Sequence, residues 1–485
     1  MPRTPANAQG PRCGLTGMMT LRVILCTLLL GCGIRFANSA ENSRPNIIII
    51  FTDDQGFADL GCQGMRDDVR TPHIDRLAKR GIRMINGFVT APQCMPSRVG
   101  ILTGRYQQHS GIETNRTATK PNKAVSMTPN VETIASHLKR AGYTTGMSGK
   151  WGVGGGPSRM QRSPQVFDLP KRELSLLPAA RGFDEYFSGT SHVYVASHQL
   201  DGIQINDSPT LITDDRYRVE VQSEAAVGFI RRHANDEQPF FLYYAPYSPH
   251  APFEAPQHYL DQFDHIDNPK RRVCLAMMAC VDDSVGRLID VLRQHEIEDN
   301  TLIWYVSDNG APGNGGGLNL PLGGGKGSLL DGGIRVPFIA SWPGHLPEGV
   351  EYEPMVSTLD IFPTCLAVAG VKELPERLDG VDLLPFLGKR QNNPPHSHLF
   401  FRWTFRGVER AAIRSSDWKL LRSARQHRLF DLRNDPSERK DVAADHPDVT
   451  RDLSARLNEW LLTIPVAANP PKRLAQPRSS KSLSK

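Results

Sequence analysis

The sequence predicts an α/β fold, in which a large, mostly parallel mixed sheet is sandwiched by helices and is followed by a smaller antiparallel sheet with one helix. Continuous apolar runs alternate with amphipathic stretches up to about Gly380, as expected for a sheet that is covered on both faces. Beyond Gly380 the apolar runs are shorter and follow one another directly, which is typical of antiparallel strands. A length of 485 residues with 39% apolar residues suits one large domain and a smaller one.

The predicted sheet and its covering helices follow from the spacing of apolar residues. Unbroken apolar runs such as NIIIIFT predict strands that are buried on both faces, whereas apolar residues three or four positions apart predict helices. The predicted strands are Asn46–Thr52, Thr144–Ser148, Pro239–Ala245 and Thr301–Ser307. The predicted helices are His73–Arg80, Val131–Ala141 and Val281–His295.

The C-terminal part carries the second predicted sheet, followed by a helix over about 449–462. The strands of this sheet are Leu399–Trp403, Ala411–Arg414, Trp418–Arg422 and Leu429–Leu432. The tail is rich in Pro, Ser, Lys and Arg, a composition that predicts disorder. We therefore expect four segments: a signal peptide (1–40), a large N-terminal domain (41–378), a C-terminal subdomain (379–465) and a disordered basic tail (466–485).

Residues 1–40 resemble an export signal. Basic residues precede an apolar run over 23–33, and small residues follow it. The run is too short for a stop-transfer helix, so we expect no transmembrane anchor. The stretch that ends at Cys32 is similar to a bacterial lipoprotein signal, but the bulky Leu30 stands where a small residue is usual, which favours simple cleavage near Ala40. The protein is therefore expected to be secreted or periplasmic.

Charge and cysteine content argue against three classes of protein. The formal charge of +6 comes from the predicted signal and the tail, so the remaining body is slightly acidic and gives no basis for binding nucleic acid. The sequence indicates no particular oligomeric state. The cysteines outside the signal are too sparse for a disulfide scaffold or a zinc site, although one disulfide among them would suit an oxidising compartment. They are Cys62, Cys94, Cys274, Cys280 and Cys365.

A cysteine at a predicted helix start is the sharpest chemical feature of the sequence. Cys94-Met95-Pro96-Ser97-Arg98 places Pro96 in the first turn of a helix, whose N-terminus favours an anion near Cys94. Arg98 adds a fixed cation whose donors suit an oxyanion. The pattern indicates a nucleophile beside an anion site, although a lone loop cysteine is more often structural.

Two groups of oxygen-bearing side chains follow predicted strands. Asp53 and Asp54 follow the first strand, and Asp308 and Asn309 follow the strand that ends at Ser307. Ligands of open α/β sheets bind at the carboxyl ends of strands, so these side chains together would suit a hard divalent cation, with Ca²⁺ favoured and Mg²⁺ as the alternative. Taken singly, each pair is more readily explained by helix caps and turns.

These motifs resemble the sulfatase family, in which a Cys-x-Pro-Ser-Arg stretch is the signature. The resemblance extends from Asn46 to the C-terminal stretch that ends at Glu438. It implies an alkaline phosphatase-like fold and the conversion of Cys94 to formylglycine after translation. The metal ligands that it implies are Asp53, Asp54, Cys94, Asp308 and Asn309. The catalytic residues that it implies are Cys94, Arg98, Lys150, His250 and Lys326.

The resemblance also implies a reaction and its participants. Lys150 is expected to contact the hydrated aldehyde, His250 to protonate the leaving alcohol and Lys326 to bind the sulfate. A hydrated aldehyde has two hydroxyl groups, of which one attacks sulfur while the other later expels the sulfate. The expected function is hydrolysis of a sulfate ester, on a sulfated carbohydrate, after maturation by a formylglycine-generating enzyme.

One position departs from the family pattern. Many sulfatases read Gly-Lys-Trp-His where this chain has Gly152 after Trp151, so the histidine that helps to release sulfate is missing. His192 and His198 are candidates to replace it, although His198 is more simply explained as a loop residue. Ser191 and His192 are also candidate substrate-binding residues.

Two other functions stay open at this point. One is a phosphonate or phosphodiester hydrolase of the same superfamily, against which the Cys94 motif and Lys326 argue. The other is a carbohydrate-binding homologue without turnover, for which Gly152 is the only support. The loops 157–170 and Leu318–Pro321 are expected to shape the substrate pocket.

Overall fold

The computed structural model describes most of the chain between the predicted signal and the tail. The signal peptide, the predicted pocket loop 157–170 and the basic tail lie outside the described residues, which are 44–115, 127, 131–154, 174–198, 209–405, 408–424 and 426–465. The strands are β1 (Asn46–Thr52), β2 (Gly81–Met84), β3 (Gly87–Phe88), β4 (Thr144–Gly149), β5 (Glu185–Gly189), β6 (Val193–Ala196), β7 (Thr210–Thr213), β8 (Phe240–Ala245), β9 (Thr301–Ser307), β10 (Phe338–Ser341), β11 (Val350–Tyr352), β12 (Val356–Ser357), β13 (Leu399–Phe405), β14 (Val408–Arg414), β15 (Trp418–Ser423) and β16 (Gln426–Asp431). The helices are α1 (Pro72–Lys79), α2 (Cys94–Thr103), α3 (Ile134–Arg140), α4 (Arg218–His233), α5 (Gln257–Leu260), α6 (Pro269–Gln294), α7 (Asp331–Ile334), α8 (Ile361–Val368), α9 (Leu384–Leu387) and α10 (Pro447–Thr463).

The large sheet has ten strands in the order β11-β2-β10-β9-β1-β8-β4-β5-β6-β7. Its middle, from β9 to β5, is parallel, whereas β10, β6 and β7 add antiparallel pairings on either side. The four predicted apolar strands are the neighbours β9, β1, β8 and β4 at its centre. The predicted mixed, mostly parallel sheet is confirmed.

Both faces of the large sheet are buried, as the unbroken apolar runs predicted. In β1, Ile47 and Ile49 point into the core on one face, with residues of α2, α3 and α8. Ile48 and Ile50 point into the core on the other face, with residues of α1, α4 and α6. The alternation follows from the two-residue period of a strand, and it places helices on both sides of the sheet.

Helix α6 begins well before the predicted start at Val281. Asn268 caps it by accepting hydrogen bonds from the N–H groups of Lys270 and Arg271, and Pro269 occupies its first turn. The first half of the helix is buried around most of its circumference, so its sequence has no single apolar face, and periodicity alone gave too short a helix. None of the described helices is both long and apolar enough to cross a membrane.

The second sheet, β13-β14-β15-β16, is antiparallel, and each of its strands contains most or all of a predicted one. One face carries Phe401, which packs 6.2 Å from Phe88 between ring centroids and joins the core of the large sheet. The other face packs against Leu453 and Leu457 of α10. The described residues from Pro45 onward form one compact unit, and the boundary between 378 and 379 stays a prediction.

Candidate active site

Neighbouring strands of the large sheet end at one edge, and the polar residues that follow them meet there. Asp53 and Asp54 follow β1, Asp308 and Asn309 follow β9, and Lys150 follows β4. These strands are parallel to one another, so their carboxyl ends lie together, where ligands of α/β sheets bind. The structure therefore brings the two predicted pairs of metal ligands into one buried cluster.

Asp54 joins the two pairs through a left-handed turn. Its φ angle is 66°, a conformation that costs about 1–3 kcal/mol for a residue other than glycine. Its N–H donates to Oδ1 of Asp308 at 3.1 Å, and Nδ2 of Asn309 donates to its Oδ1 at 2.7 Å. The turn is therefore held by contacts between the two groups that the sequence predicted separately.

Cys94 begins helix α2 above this cluster, with Pro96 in the first turn, as predicted. Its Sγ lies 3.3 Å from Nζ of Lys326 and 3.8 Å from Oδ1 of Asp54. The N–H of Met95 donates a hydrogen bond to the side-chain oxygen of Asn115 at 2.8 Å, which satisfies one free donor of the helix end. The cysteine is thus held at a helix N-terminus between a cation and a carboxylate.

Arg98 lies beneath the cluster with none of its side chain exposed. Its Nη2 lies 2.8 Å from Oδ2 of Asp308 and 3.6 Å from Oδ2 of Asp53. Its Nη1 donates to the carbonyl oxygen of Lys150 at 3.0 Å and to the hydroxyl of Tyr243 at 3.4 Å. A buried guanidinium with fixed partners on both sides is a rigid part of the site.

The two lysines each face one carboxylate. Nζ of Lys150 lies 2.5 Å from Oδ2 of Asp53, and Nζ of Lys326 lies 2.7 Å from Asp54. Together with the arginine and the remaining aspartate, the cluster holds three cations and three carboxyl groups. The formal charges of these six groups cancel. A bound metal cation would give the cluster a net positive charge, which suits an anionic substrate.

Two buried oxygen atoms of the cluster make no hydrogen bond in the described part of the chain, Oδ1 of Asp53 and Oδ1 of Asn309. Leaving such atoms unpaired is costly, and a bound cation would remove that cost. One ligand atom from each of Asp53, Asp54, Cys94 and His250 lies within 4.8 Å of the others. A donor set dominated by carboxylate and amide oxygens fits a hard divalent cation.

The charges shift the pKa values of this cluster in opposite directions. Burial would raise the pKa of Asp53, but Lys150 and then His250 outweigh it and hold this pKa well below its usual range. Burial, and then the Asp53 carboxylate, raise the pKa of Asp308 to about 7. Burial also raises the pKa of the Cys94 thiol, so the unmodified side chain is a neutral, weak nucleophile at neutral pH.

His250 faces the cluster from the loop after β8. Its Nε2 lies 3.6 Å from Oδ2 of Asp54, and its Nδ1 lies 2.7 Å from the carbonyl oxygen of Ala251. A carbonyl oxygen accepts only, so Nδ1 carries a proton and Nε2 is the atom that exchanges a proton at the site. Burial lowers the pKa of His250, although Asp53 opposes this shift.

Two tyrosines near the end of β8 belong to the site and were not predicted. Tyr243 contacts the buried arginine, as described above. The ring of Tyr247 stacks on the imidazole of His250, with centroids 4.6 Å apart, and lies 4.9 Å from Nζ of Lys150. Both residues flank the carboxyl end of a predicted buried strand, so strand position was the signal that would have identified them.

Gly152, the departure from the family pattern, lies against the buried arginine. Its φ angle is 70°, and a Cβ atom at this position would lie 2.9 Å from Cδ of Arg98 and 3.4 Å from Cε of Lys150. Glycine therefore suits both the backbone and the space here. No side chain fits at this position unless Arg98 moves.

The three residues proposed around the missing histidine lie at different edges of the sheet. Ser191 and His192 lie in the turn between β5 and β6, at the carboxyl edge, and Nδ1 of His192 is 3.2 Å from the carbonyl oxygen of Asp214. His198 lies 3.5 Å from Glu185, the first residue of β5, and so at the opposite edge. Ser191 and His192 stay candidates for substrate binding, whereas His198 lies at the edge of the sheet opposite to the carboxyl edge.

The comparisons with known proteins agree with this geometry. The family model described as Sulfatase matches residues 45–371, and the model described as N-sulphoglucosamine sulphohydrolase, C-terminal, matches residues 325–463. Mouse arylsulfatase J is 28% identical, covering 92% of this chain and 80% of the relative. Human N-acetylgalactosamine-6-sulfatase is 31% identical, covering 73% of this chain and 68% of the relative.

Solved structures give the same assignment. The structure described as Ps i-CgsB in complex with k-i-k-neocarrahexaose has a TM-score of 0.76 and 32% identity, over 89% of this chain and 96% of that chain. The phosphonate monoester hydrolase of Agrobacterium radiobacter has a TM-score of 0.66 and 21% identity, over 87% and 96%, which shows a shared fold alone. The ten-stranded mixed sheet and the separate four-stranded sheet define an α/β protein with an alkaline phosphatase-like fold. The chain belongs to the sulfatase family, and it is an enzyme that hydrolyses sulfate esters.

Proposed function

We propose that the enzyme hydrolyses a sulfate ester of a carbohydrate at a formylglycine derived from Cys94, with a divalent cation, Ca²⁺ rather than Mg²⁺, held beside it. The observation that carries this proposal is the pair of unpaired, buried oxygens of Asp53 and Asn309 beside Cys94. Asp53, Asp54, Asp308 and Asn309 would hold the cation together with the modified residue. A hydrated formylglycine would supply the attacking hydroxyl, and the cation would polarise the sulfate oxygens.

The remaining residues bind the anion and move one proton. Lys326 and Lys150 flank the position of Cys94, and the N-terminus of α2 adds N–H donors, so all three favour negative charge on the sulfate oxygens. Arg98 holds Asp308 and Asp53 in place from below. In its doubly protonated form, His250 would donate a proton from Nε2 to the leaving alcohol and keep the proton on Nδ1, since Nδ1 faces the carbonyl oxygen of Ala251.

We infer the substrate class from the relatives. The name of one relative states that it acts on N-acetylgalactosamine 6-sulfate, and one neighbouring structure holds a neocarrahexaose. A sulfated polysaccharide or glycosaminoglycan fragment is therefore proposed as the substrate, with Ser191, His192 and the loop Leu318–Pro321 contacting it. Export through the predicted signal would bring the enzyme to such polymers, and a formylglycine-generating enzyme would be its maturation partner.

The test is peptide mass spectrometry across Cys94, combined with sulfate release from an aryl sulfate and from sulfated oligosaccharides. The protein is produced with and without a formylglycine-generating enzyme. We expect formylglycine only in the first preparation, and sulfate release that is lost on chelation with EGTA and restored by Ca²⁺. Unmodified cysteine together with full sulfate release would contradict the proposed chemistry.

The matched variants are Asp54→Asn and Cys94→Ala. Asp54→Asn removes one carboxylate but keeps the size of the side chain. Because a charged ligand is lost, we expect the Ca²⁺ concentration for half-maximal activity to rise at least about tenfold. Cys94→Ala removes the modified residue and should abolish release at any Ca²⁺ concentration. If both variants respond alike to added Ca²⁺, Asp54 does not hold the cation.

A further inference from the structure

The second sheet reaches the mouth of the active centre through Trp403. Its indole N–H donates to Oε1 of Gln93 at 3.3 Å, and Gln93 directly precedes Cys94. Its ring lies 3.7 Å from the place that a Cβ atom would take on Gly327, which directly follows Lys326. Trp403 therefore lies beside the chain neighbours of Cys94 and Lys326.

Arg410 lies over this tryptophan. The two residues are directly opposite each other on β14 and β13, and the guanidinium carbon lies 5.4 Å from the ring centroid. Trp403 is 4% exposed, whereas Arg410 is partly exposed. Attraction to the face of an indole restrains the guanidinium, and its partial exposure leaves N–H groups accessible. Arg410 is thus a preorganised cation at the rim of the site.

The charge of Arg410 is not neutralised by the described part of the chain. Three other arginines of the same sheet each lie within ion-pair distance of a carboxylate, Arg402 with Glu113, Arg414 with Asp331 and Arg422 with Glu409. No described carboxylate lies within this distance of Arg410. An arginine that packs on tryptophan without an acidic partner is suited to bind an anion from outside the protein.

We propose that Arg410 is a specificity-determining residue that binds a second anionic group of the substrate, on a sugar next to the one that carries the hydrolysed sulfate. The inference rests on the proposed function. The cations of the active centre are already paired with its carboxylates, so a second charged group needs a cation outside the centre. The favoured substrates are therefore oligosaccharides whose neighbouring sugar bears a carboxylate or a sulfate.

Two pairs of ligands test this directly, because the members of each pair differ only in charge on the neighbouring sugar. One pair is a chondroitin 6-sulfate tetrasaccharide and its carboxyl-reduced form. The other is an ι-carrageenan and a κ-carrageenan tetrasaccharide. Binding is measured by calorimetry on full-length Cys94→Ala protein, which does not consume the ligand, with and without Arg410→Gln.

We expect Arg410→Gln to weaken binding of the more highly charged member of at least one pair about tenfold, the effect of losing a charge-assisted hydrogen bond. Binding of the less charged member should change by less than about twofold. Arg410→Lys keeps the charge but not the planar fork and should restore part of the difference. Arg422→Gln, on the other face of the same sheet, should change neither affinity.

Equal weakening of both members of each pair, or no weakening of either, would overturn the assignment of Arg410. Sulfate release by matured protein separates this result from failure of the proposed function. If affinities depend on Arg410 as expected but matured protein releases no sulfate, the function is wrong and the anion site stands. If release is normal and unaffected by Arg410→Gln for both members, the function stands and the anion site is wrong.

Discussion

At position 152 the backbone and a neighbouring side chain both require glycine. The φ angle of 70° is left-handed, and a Cβ atom would come within 2.9 Å of Cδ of Arg98. Arg98 is paired with Asp308 at 2.8 Å and cannot move aside without losing this contact. A single substitution at this position therefore does not restore the histidine of the expected family pattern.

We expect Gly152→Ala to lower the free energy of unfolding by about 2–5 kcal/mol, since a left-handed alanine costs about 1–2 kcal/mol and overpacking about 1–3 kcal/mol. Sulfate release should fall by at least about tenfold, because displacement of Arg98 disturbs the carboxylates that it positions. Urea denaturation and initial rates of sulfate release measure the two effects.

Gly64 is the matched control, because its φ angle of 65° is similar and a Cβ atom there meets nothing within 4 Å. Gly64→Ala should lower the free energy of unfolding only by the cost of a left-handed alanine, about 1–2 kcal/mol, and leave sulfate release unchanged. Equal destabilisation by the two substitutions would show that contact with Arg98 plays no part.

Candidate residues of the site could be predicted where they directly follow a predicted strand or begin a predicted helix. Asp53 follows a continuous apolar run, and Cys94 precedes a helical proline, so the local sequence marks both as candidates. Trp403 has no such signal, and Tyr247 is marked only by its place just after the predicted strand that ends at Ala245. Tyrosine and tryptophan are common core residues, and their roles depend on contacts with residues that are distant in the sequence.

At the scale of elements, a buried charge cluster fixes the loop that carries Lys326. Nζ of Lys419 on β15 lies 2.7 Å from Oδ1 of Asp331 and 2.9 Å from Oε1 of Glu438, and all three side chains are at most 2% exposed. The N–H of Asp331 donates to Glu438 at 2.5 Å. This loop runs from Gly323 to Asp331, and the second sheet therefore determines where Lys326 stands.

The charges of this cluster depend on one another. Burial would raise the pKa of Asp331, but Lys419 and then Arg414 hold it well below its usual range. Burial raises the pKa of Glu438 to about 7 in spite of Lys419. Because two buried carboxyl groups share one lysine, loss of that lysine would leave negative charge uncompensated.

We expect Lys419→Met to lower the free energy of unfolding by about 3–5 kcal/mol, the cost of breaking a buried ion pair. The KM for a sulfate ester should rise several-fold as well, because the loop of Lys326 loses its anchor. The measurements are urea denaturation and steady-state kinetics at a temperature at which the variant is folded.

Arg422 provides the control for Lys419, since it pairs with Glu409 on the same sheet but is partly exposed. Arg422→Gln should lower the free energy of unfolding by no more than about 1 kcal/mol and leave the KM for the sulfate ester unchanged. A variant at position 419 that loses stability without any change in KM would mean that the cluster does not position Lys326.

At the scale of the whole molecule, the two sheets share one core. Leu399 and Phe401 of the second sheet belong to the same apolar cluster as Ile47 of β1 and Phe88 of β3. The sequence predicted both sheets from their apolar patterns, but not how they pack, because the face of a strand that meets another element is set by distant contacts. The predicted domain and its C-terminal subdomain therefore share apolar contacts, and the boundary between 378 and 379 stays a prediction.

A chain that ends at Leu378 should therefore not fold on its own. It lacks the apolar side chains of β13 to β16 that complete the core, each of which contributes about 1.5–3 kcal/mol when buried, and it lacks Lys419 and Glu438. We expect this fragment to be insoluble or to unfold without a cooperative transition in scanning calorimetry.

A chain that ends at Pro465 lacks only the basic tail, and it should keep the single transition and the sulfate release of the full chain. If the shorter fragment unfolds cooperatively and releases sulfate, the first sheet is an independent domain, and the second sheet acts on the site only through the contacts of Trp403 and Lys419.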